Sequence, residues 1–130
     1  MSFSSDLGRF SVASLQAVER ITRAIKLELF SGVILDTPVD TGRARGNWQT
    51  STGYPKTSTV ERFGANASLN EMRNSLGGLD GTTYLTNNLP YIEALEYGHS
   101  IQARSPDGML RKNFARINQI VQRAINQHSI

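Results

Sequence analysis

The sequence predicts an α+β fold in a single domain over residues 1–130, with long N-terminal and C-terminal helices packed on a small antiparallel β-sheet and short helices in the middle. Three observations carry the prediction. Apolar residues recur every three or four positions near both ends, the spacing of a helix face. The middle is rich in Gly, Thr, Ser and Asn, the composition of turns and short strands. A chain of 130 residues buries roughly two thirds of its unfolded surface, enough for a core without crosslinks, which suits a sequence with no cysteine.

The first helix is expected from about Phe10 to Leu35. Leu15, Val18, Thr22, Ile25 and Leu29 form its apolar stripe, with Ile21 and Ala24 beside it. Glu19, Arg23 and Lys26 take the opposite face, and Glu19 and Arg23 are an i, i+4 pair in the favourable order. From Leu27 to Leu35 the apolar residues go all round the helix, which predicts burial on more than one side, in this fold or against another subunit. Pro38 ends it by disfavouring helical backbone at Thr37.

Gly46 to Gly53 reads as a strand between two glycines. Thr57 to Phe63 is either a second strand or an extended arm. Ser68 and Glu71 have capping-box spacing and open a short helix with the stripe Leu69, Met72 and Leu76, which Gly77 and Gly78 end. Asp80 to Asn88 reads as a turn and then a strand. Leu89 to Gly98 is a short helix with Pro90 in its first turn and Gly98 at its stop. Asp107 is the expected N-cap of the last helix. There Leu110, Phe114, Ile117, Val121 and Ala124 step by 4, 3, 4, 3 and are expected to pack, while Lys112, Arg116, Gln119 and Arg123 make a neighbouring basic face. The sheet is expected to hold three to four strands.

The formal charge is +3 and the pI about 9.6, a mild bias that permits contact with nucleic acid or an acidic partner and demands neither. No basic stretch followed by an apolar run opens the sequence, so no cleaved signal is expected. No apolar stretch approaches the roughly 20 residues that span a bilayer, so no membrane role is expected. Asn66-Ala67-Ser68 matches a glycosylation acceptor, which is idle without a secretory route.

Asp40-Thr41-Gly42 is the signature tripeptide of aspartic peptidases. That chemistry needs two aspartates sharing a proton, and one copy would require a symmetric dimer. Here Pro38 precedes the motif and Arg43 follows it. A guanidinium beside the dyad favours two ionised carboxylates and spoils the shared proton. The competing reading is a turn between helix and strand, with Gly42 supplying a permissive backbone. Glu96 and His99 have a metal-ligand spacing, but the only other histidine is His128, and Gly98 interrupts the helix that would hold the pair. No nucleophile elbow occurs. Gly77-Gly78-Leu79-Asp80-Gly81 lacks the Lys and Ser/Thr of a P-loop. No catalytic residue, metal ligand or cofactor site is expected. The basic face of the last helix permits non-specific contact with phosphates, with Lys112, Arg116 and Arg123 as the contacts.

A further reading of the same residues comes from a resemblance carried by three blocks. "TPVDTGRARGNWQTS" (Thr37 to Ser51) resembles the Pro-Val-Asp-Thr-Gly-Arg segment of neck or tail-completion proteins of long-tailed bacteriophages. "TTYLTNNLPYIEALEYGHS" (Thr82 to Ser100) resembles that family's second block, a strand followed by a short helix ending in Glu-Tyr-Gly. "SPDGMLRKNF" (Ser105 to Phe114) resembles its third, where a Pro-x-Gly-Met turn opens the final helix. The three stand in the family's order, the resemblance covers roughly residues 10 to 127, with 53 to 80 matching least, and Ala44 stands where the family often has Leu.

The resemblance implies a structural virion protein at the head–tail junction, a non-enzymatic ring subunit around the DNA channel that joins or completes the tail. Its implied partners are other neck and tail proteins: the head-closure or connector ring, the tail terminator or the tail tube. A homo-oligomeric ring in the virion is expected, with a monomer allowed for the purified chain. The expected location is the virion, after assembly in the host cytoplasm. The alternatives are a tail terminator of the same junction, a dimeric peptidase using Asp40, or a small DNA-binding protein. On the family reading Asp40, Thr41 and Gly42 are a hinge between helix and sheet, and Arg43 or Arg45 is expected to pair with Glu96, within or between subunits. Trp48, Tyr91 and Tyr97 are expected as aromatic anchors, in the core or at an interface. Glu96, Tyr97 and Gly98 complete the second block.

Overall fold

The computed structural model describes residues 3–39, 41–77, 79, 81–98 and 108–128. Its element order is α1 (Phe3–Asp36), α2 (Arg43–Gly46), β1 (Gln49–Thr52), α3 (Ala65–Ser75), β2 (Thr83–Thr86), α4 (Ile92–Glu96), α5 (Leu110–Ala115) and α6 (Ile117–His128). The fold is α+β, with a long helix at each end and a small antiparallel sheet between them. No helix of the described residues is long and apolar enough to cross a membrane.

α1 is 34 residues long, or about 50 Å at the helical rise. It begins before the expected Phe10. Its C-terminal half reaches the core: Val33 and Ile34 sit there with Ala44, Trp48, Leu69, Met72, Leu76, Leu89, Leu95 and Met109. The expected stripe is displaced at its start. Val12, Leu15 and Val18 are 55%, 62% and 47% exposed, while Ala17, one step round the helix, is buried. The polar face makes contacts of its own. Arg23 donates to the carbonyl of Arg73 at 3.1 Å and Lys26 to that of Leu76 at 3.4 Å. Both carbonyls lie at the C-terminus of α3, where cations offset the unpaired acceptors of a helix end.

The sheet has two strands among the described residues, not the expected three to four. β1 and β2 pair antiparallel with Gln49 opposite Thr86 and Thr52 opposite Thr83. Thr57 to Phe63 is an extended arm. Side chains tether it where a strand ladder would otherwise form: Gln49 and Asn88 donate to the Ser58 carbonyl at 2.7 and 3.2 Å, and the Val60 amide donates to Asn47 Oδ1 at 2.9 Å.

α3 starts three residues before the expected capping box. Gly64, at φ 86°, sets its entry. Ser68 is therefore inside the helix and donates to the Arg45 carbonyl at 2.8 Å. Glu71 faces β1, accepting from the Thr50 amide at 3.0 Å and pairing with Arg62 at 3.2 Å. Pro90 lies in the turn ahead of α4 rather than in its first turn. Asp107, the expected N-cap, lies outside the described residues, as do Gly78, Asp80 and His99.

The last helix is two, α5 and α6, broken at Arg116. The break follows Asn113, whose side-chain amide donates to the Met109 carbonyl at 2.7 Å and to Asp36 at 2.9 Å. Such back-bonding competes with the helical ladder and bends it. The packing face is also turned from the expected one. Met109, Asn113, Ile120 and Ala124 are buried, whereas Phe114 is 56% exposed and Leu110 lies at the surface. Asn113 takes the inward place because Gly32 of α1 leaves room for it: a Cβ there would fall on the Asn113 amide. α6 then runs antiparallel to α1, with Arg123 bonded to Glu28.

Candidate functional site

The three sequence blocks meet in two hydrogen-bonded junctions. The first closes the C-terminus of α1. Thr37 is fully buried; its hydroxyl donates to the Val33 carbonyl at 2.7 Å and accepts from the Trp48 indole at 2.8 Å. Arg45 Nε donates to the Thr37 carbonyl at 2.8 Å and its terminal nitrogen to the Leu35 carbonyl at 2.7 Å. These are helix-end acceptors that α1 itself leaves unpaired. The planar guanidinium meets both at once, which a lysine ammonium would do less well.

Between these groups runs the former peptidase motif. Thr41 Oγ1 accepts from the Arg43 amide at 3.3 Å. Gly42 sits at φ 84°, and a Cβ there would meet the Gly64 backbone nitrogen. Its carbonyl accepts from Gly46 at 3.0 Å and from Gly64 at 2.7 Å. Thr41 and Gly42 thus form a turn into α2, a helical turn absent from the sequence reading. Asp40 lies outside the described residues. Arg43 is half-buried in α2, and its carbonyl accepts from the Asn47 side chain at 2.9 Å.

The second junction is built around Glu96, the last residue of α4 and only 6% exposed. One carboxylate oxygen accepts from the amides of Met109 and Leu110, both at 2.8 Å. The other accepts from the Arg111 amide at 3.2 Å and from Arg111 Nε at 3.0 Å. The Arg111 guanidinium also donates to the Glu96 carbonyl and lies 4.9 Å over the Tyr97 ring. Burial alone would raise the carboxyl's pKa. The amides of Leu110, Arg111 and Met109, with the Arg111 guanidinium, outweigh it and hold the group below its ordinary value. Gly108, at φ 76°, is the turn residue that brings these amides in; a Cβ there would fall on the Glu96 carboxylate. Gly98, at φ 69°, ends α4 as expected, its amide donating to the Leu95 carbonyl at 3.3 Å.

The expected pairing of Arg43 or Arg45 with Glu96 does not occur within the chain. Arg45 is spent on α1, and Glu96 is taken by Arg111. The first block is joined to the second by the β1–β2 ladder and by Asn87, whose side chain donates to the Ala44 carbonyl at 2.9 Å. Of the expected aromatic anchors, Trp48 is in the core, while Tyr91 and Tyr97 are at the surface. The basic face of the last helix meets acids of α1: Lys112 and Arg116 lie 3.6 and 3.8 Å from Asp36, and Arg123 pairs with Glu28.

Sequence reasoning missed three residues here. Arg111 and Gly108 sit inside the third block, where the Gly-Met-Leu-Arg run was read only as a helix start. Arg62, in the arm, donates to the carbonyls of Gly46 and Trp48, each at 2.8 Å, besides pairing with Glu71. Nothing in the local pattern of the arm marks that role. Among the described residues no group of three or more His, Asp or Glu is placed to hold a metal. No family model, curated protein or solved structure matches this chain.

Proposed function

We propose that the chain is a structural subunit of the head–tail junction of a long-tailed bacteriophage, a neck or tail-completion protein that works by assembly and has no catalytic residues. The observation that carries this reading is the Glu96 junction. The resemblance rests on three separated blocks, and their co-occurrence would mean little if the fold kept them apart. Glu96 of the second block is instead bonded to three successive amides of the third. Asn87 ties the second block to the first. The blocks are parts of one hydrogen-bonded frame, which gives a physical reason for them to occur together.

The exposed apolar residues of the N-terminal half of α1 also suit a subunit that is covered in an assembly. On this reading the partners are the connector or head-closure ring on one side and the tail terminator or tube on the other, with copies of the chain in a ring around the DNA. The test is genetic. Disrupting the gene in its source phage and imaging the lysate by negative-stain electron microscopy is expected to give separate filled heads and finished tails, or tails of uncontrolled length. The first outcome marks a joining role and the second a terminating one. Intact infectious particles would overturn the proposal.

A further inference from the structure

The two edges of the sheet are treated differently. Gly53 donates to the Thr82 carbonyl at 2.9 Å, which makes 53/82 a hydrogen-bonded pair. Pairs alternate along an antiparallel ladder, so Ser51 and Tyr84, then Gln49 and Thr86, also face each other's backbone. The backbone groups of Thr50 and Thr52 therefore point away from β2, and those of Thr83 and Leu85 point away from β1. On the β1 side α3 covers the edge: the Thr50 amide is bonded to Glu71 at 3.0 Å and Thr52 Oγ1 to the Ser75 carbonyl at 3.0 Å. On the β2 side the outward amides and carbonyls of Thr83 and Leu85 have no hydrogen-bond partner among the described residues.

Exposed edges invite another strand, and proteins normally blunt them with charge, proline or a bulge. β2 itself has none of these; the Lys26 ammonium of α1 reaches Thr83 Oγ1 at 2.9 Å, on the face Thr83 shares with Leu85 and not along the strand edge. From Gly81 to Ile92 no residue is charged, and Thr83-Tyr84-Leu85-Thr86 is a run of strand formers. A two-stranded sheet is also marginal by itself.

We propose that the outer edge of β2 is a docking edge for β2 of a second copy of this chain, giving a continuous four-stranded antiparallel sheet across a two-fold axis. The occupant follows from the edges. β1 of another copy does not fit, because its free side is closed by Glu71 and α3. The strand of this chain with an open edge is β2 itself, so pairing between copies is isologous. A two-fold contact places like charges of the two copies opposite one another, and β2 carries none. The register that pairs Thr83 with the partner's Leu85, and Leu85 with its Thr83, uses every outward group of the strand. It sets Tyr84 opposite itself as a non-hydrogen-bonded pair with Cα atoms about 4.5 Å apart. Tyr84 lies on the face opposite Leu85, which packs on the core, so the two rings stack without disturbing it. This proposal is independent of the neck reading. A two-fold pair closes on itself, and any ring would use other surfaces.

The absence of cysteine makes the test direct. The purified full chain, 14.3 kDa, is expected to sediment at twice that mass as concentration rises. Tyr84→Cys should give an oxidised dimer readily, because the expected separation lies within the span a disulfide bridges. Thr86→Cys should not, since its copies are offset by four residues, about 13 Å along the strands. Tyr84→Lys should shift the unmodified protein to monomer and Tyr84→Phe should leave it a dimer, with circular dichroism confirming that both fold. A wild-type chain that stays monomeric at every concentration overturns the proposal. So does Tyr84→Cys cross-linking no faster than Thr86→Cys, even in a dimer.

Discussion

The two junctions that hold the fold together are chemical mirror images. At the end of α1 a cation, Arg45, satisfies carbonyls; at the start of α5 an anion, Glu96, satisfies amides. Each charge complements the partial charge of the helix end it meets. They differ in commitment. Arg45 is only half-buried and makes two bonds. Glu96 is almost wholly buried, collects three amides and a guanidinium, and can be neutralised. The comparison teaches that one junction is a patch on a helix that would end there anyway, because Pro38 follows. The other shapes the geometry it stabilises: beside the apolar contact of Met109 in the core that holds Leu95, the Glu96 carboxylate is what fixes the amides of the 108–111 turn against α4.

The sharpest way to break the comparison is at Glu96. Glu96→Ala leaves the buried Met109 amide and the half-buried amides of Leu110 and Arg111 without their acceptor. A buried donor left without a partner costs about 1–3 kcal/mol and a half-buried one less, so the loss should reach about 3 kcal/mol by urea denaturation. Glu96→Gln keeps an acceptor but loses the charge and should lose about 2 kcal/mol. The pH profile separates the junctions further. A carboxyl held below its ordinary value of 4.5 contributes stability that is fully present above that pH and is lost as the pH falls through the lower folded value. The wild-type protein should therefore lose stability on acidification in this window. Glu96→Gln should flatten that part of the profile, and an Arg45 variant should leave it unchanged. An identical profile in Glu96→Gln would mean the carboxylate contributes little.

Gly108→Ala attacks the same junction through the backbone. It forces an L residue into a positive φ and drives a methyl against the Glu96 carboxylate. The expected cost is about 2 kcal/mol, above the usual range for a compatible exchange. Arg45→Ala should cost less, about 1–2 kcal/mol, because the Leu35 and Thr37 carbonyls regain water on the exposed side. Arg45→Lys should recover only part of it, since one ammonium does not reproduce the two-pronged contact. Thermal or chemical unfolding of the set ranks the two junctions.

How much of this was legible beforehand follows from the physics of each element. The fold class and the existence of α1, β1, β2 and α4 were readable, because periodicity and Gly or Pro punctuation are local signals. The face that α1 buries was not. Its Leu15 and Val18 are more apolar than Ala17, yet Ala17 is the residue buried, so tertiary packing overrides the sequence pattern. The Ser68–Glu71 spacing suggested a capping box, but Gly64 starts α3 earlier and both side chains serve β1 and α2 instead. Glu96 stands out as a site residue, but within the chain its partner is Arg111 and not Arg43 or Arg45. Arg43 and Arg45 looked available because opposite charges stood in separate blocks, whereas Arg111 is nearer and arrives with the amides that Glu96 needs. A pairwise charge argument does not see backbone donors.

The smallest expected effect is at the third charged contact, between α1 and the basic face of the last helices. Asp36 lies near Lys112 and Arg116 at 3.6 and 3.8 Å, with both cations well exposed. Ion pairs of this kind are screened and contribute about 0–1 kcal/mol. Lys112→Gln and Arg116→Gln should each change stability by about 0.5 kcal/mol or less. Asp36→Asn should cost more than either, because Asp36 also accepts from the buried Asn113 amide at 2.9 Å, and that bond fixes the inward face of α5. If the two cation variants prove as costly as Arg45→Ala, the contrast between buried backbone caps and solvated ion pairs fails. Added salt gives a second reading of the same contrast. It should erase the small Lys112 and Arg116 effects and leave the Glu96 effect almost intact, since a Debye length of about 8 Å at physiological ionic strength screens surface pairs but reaches a buried carboxylate poorly.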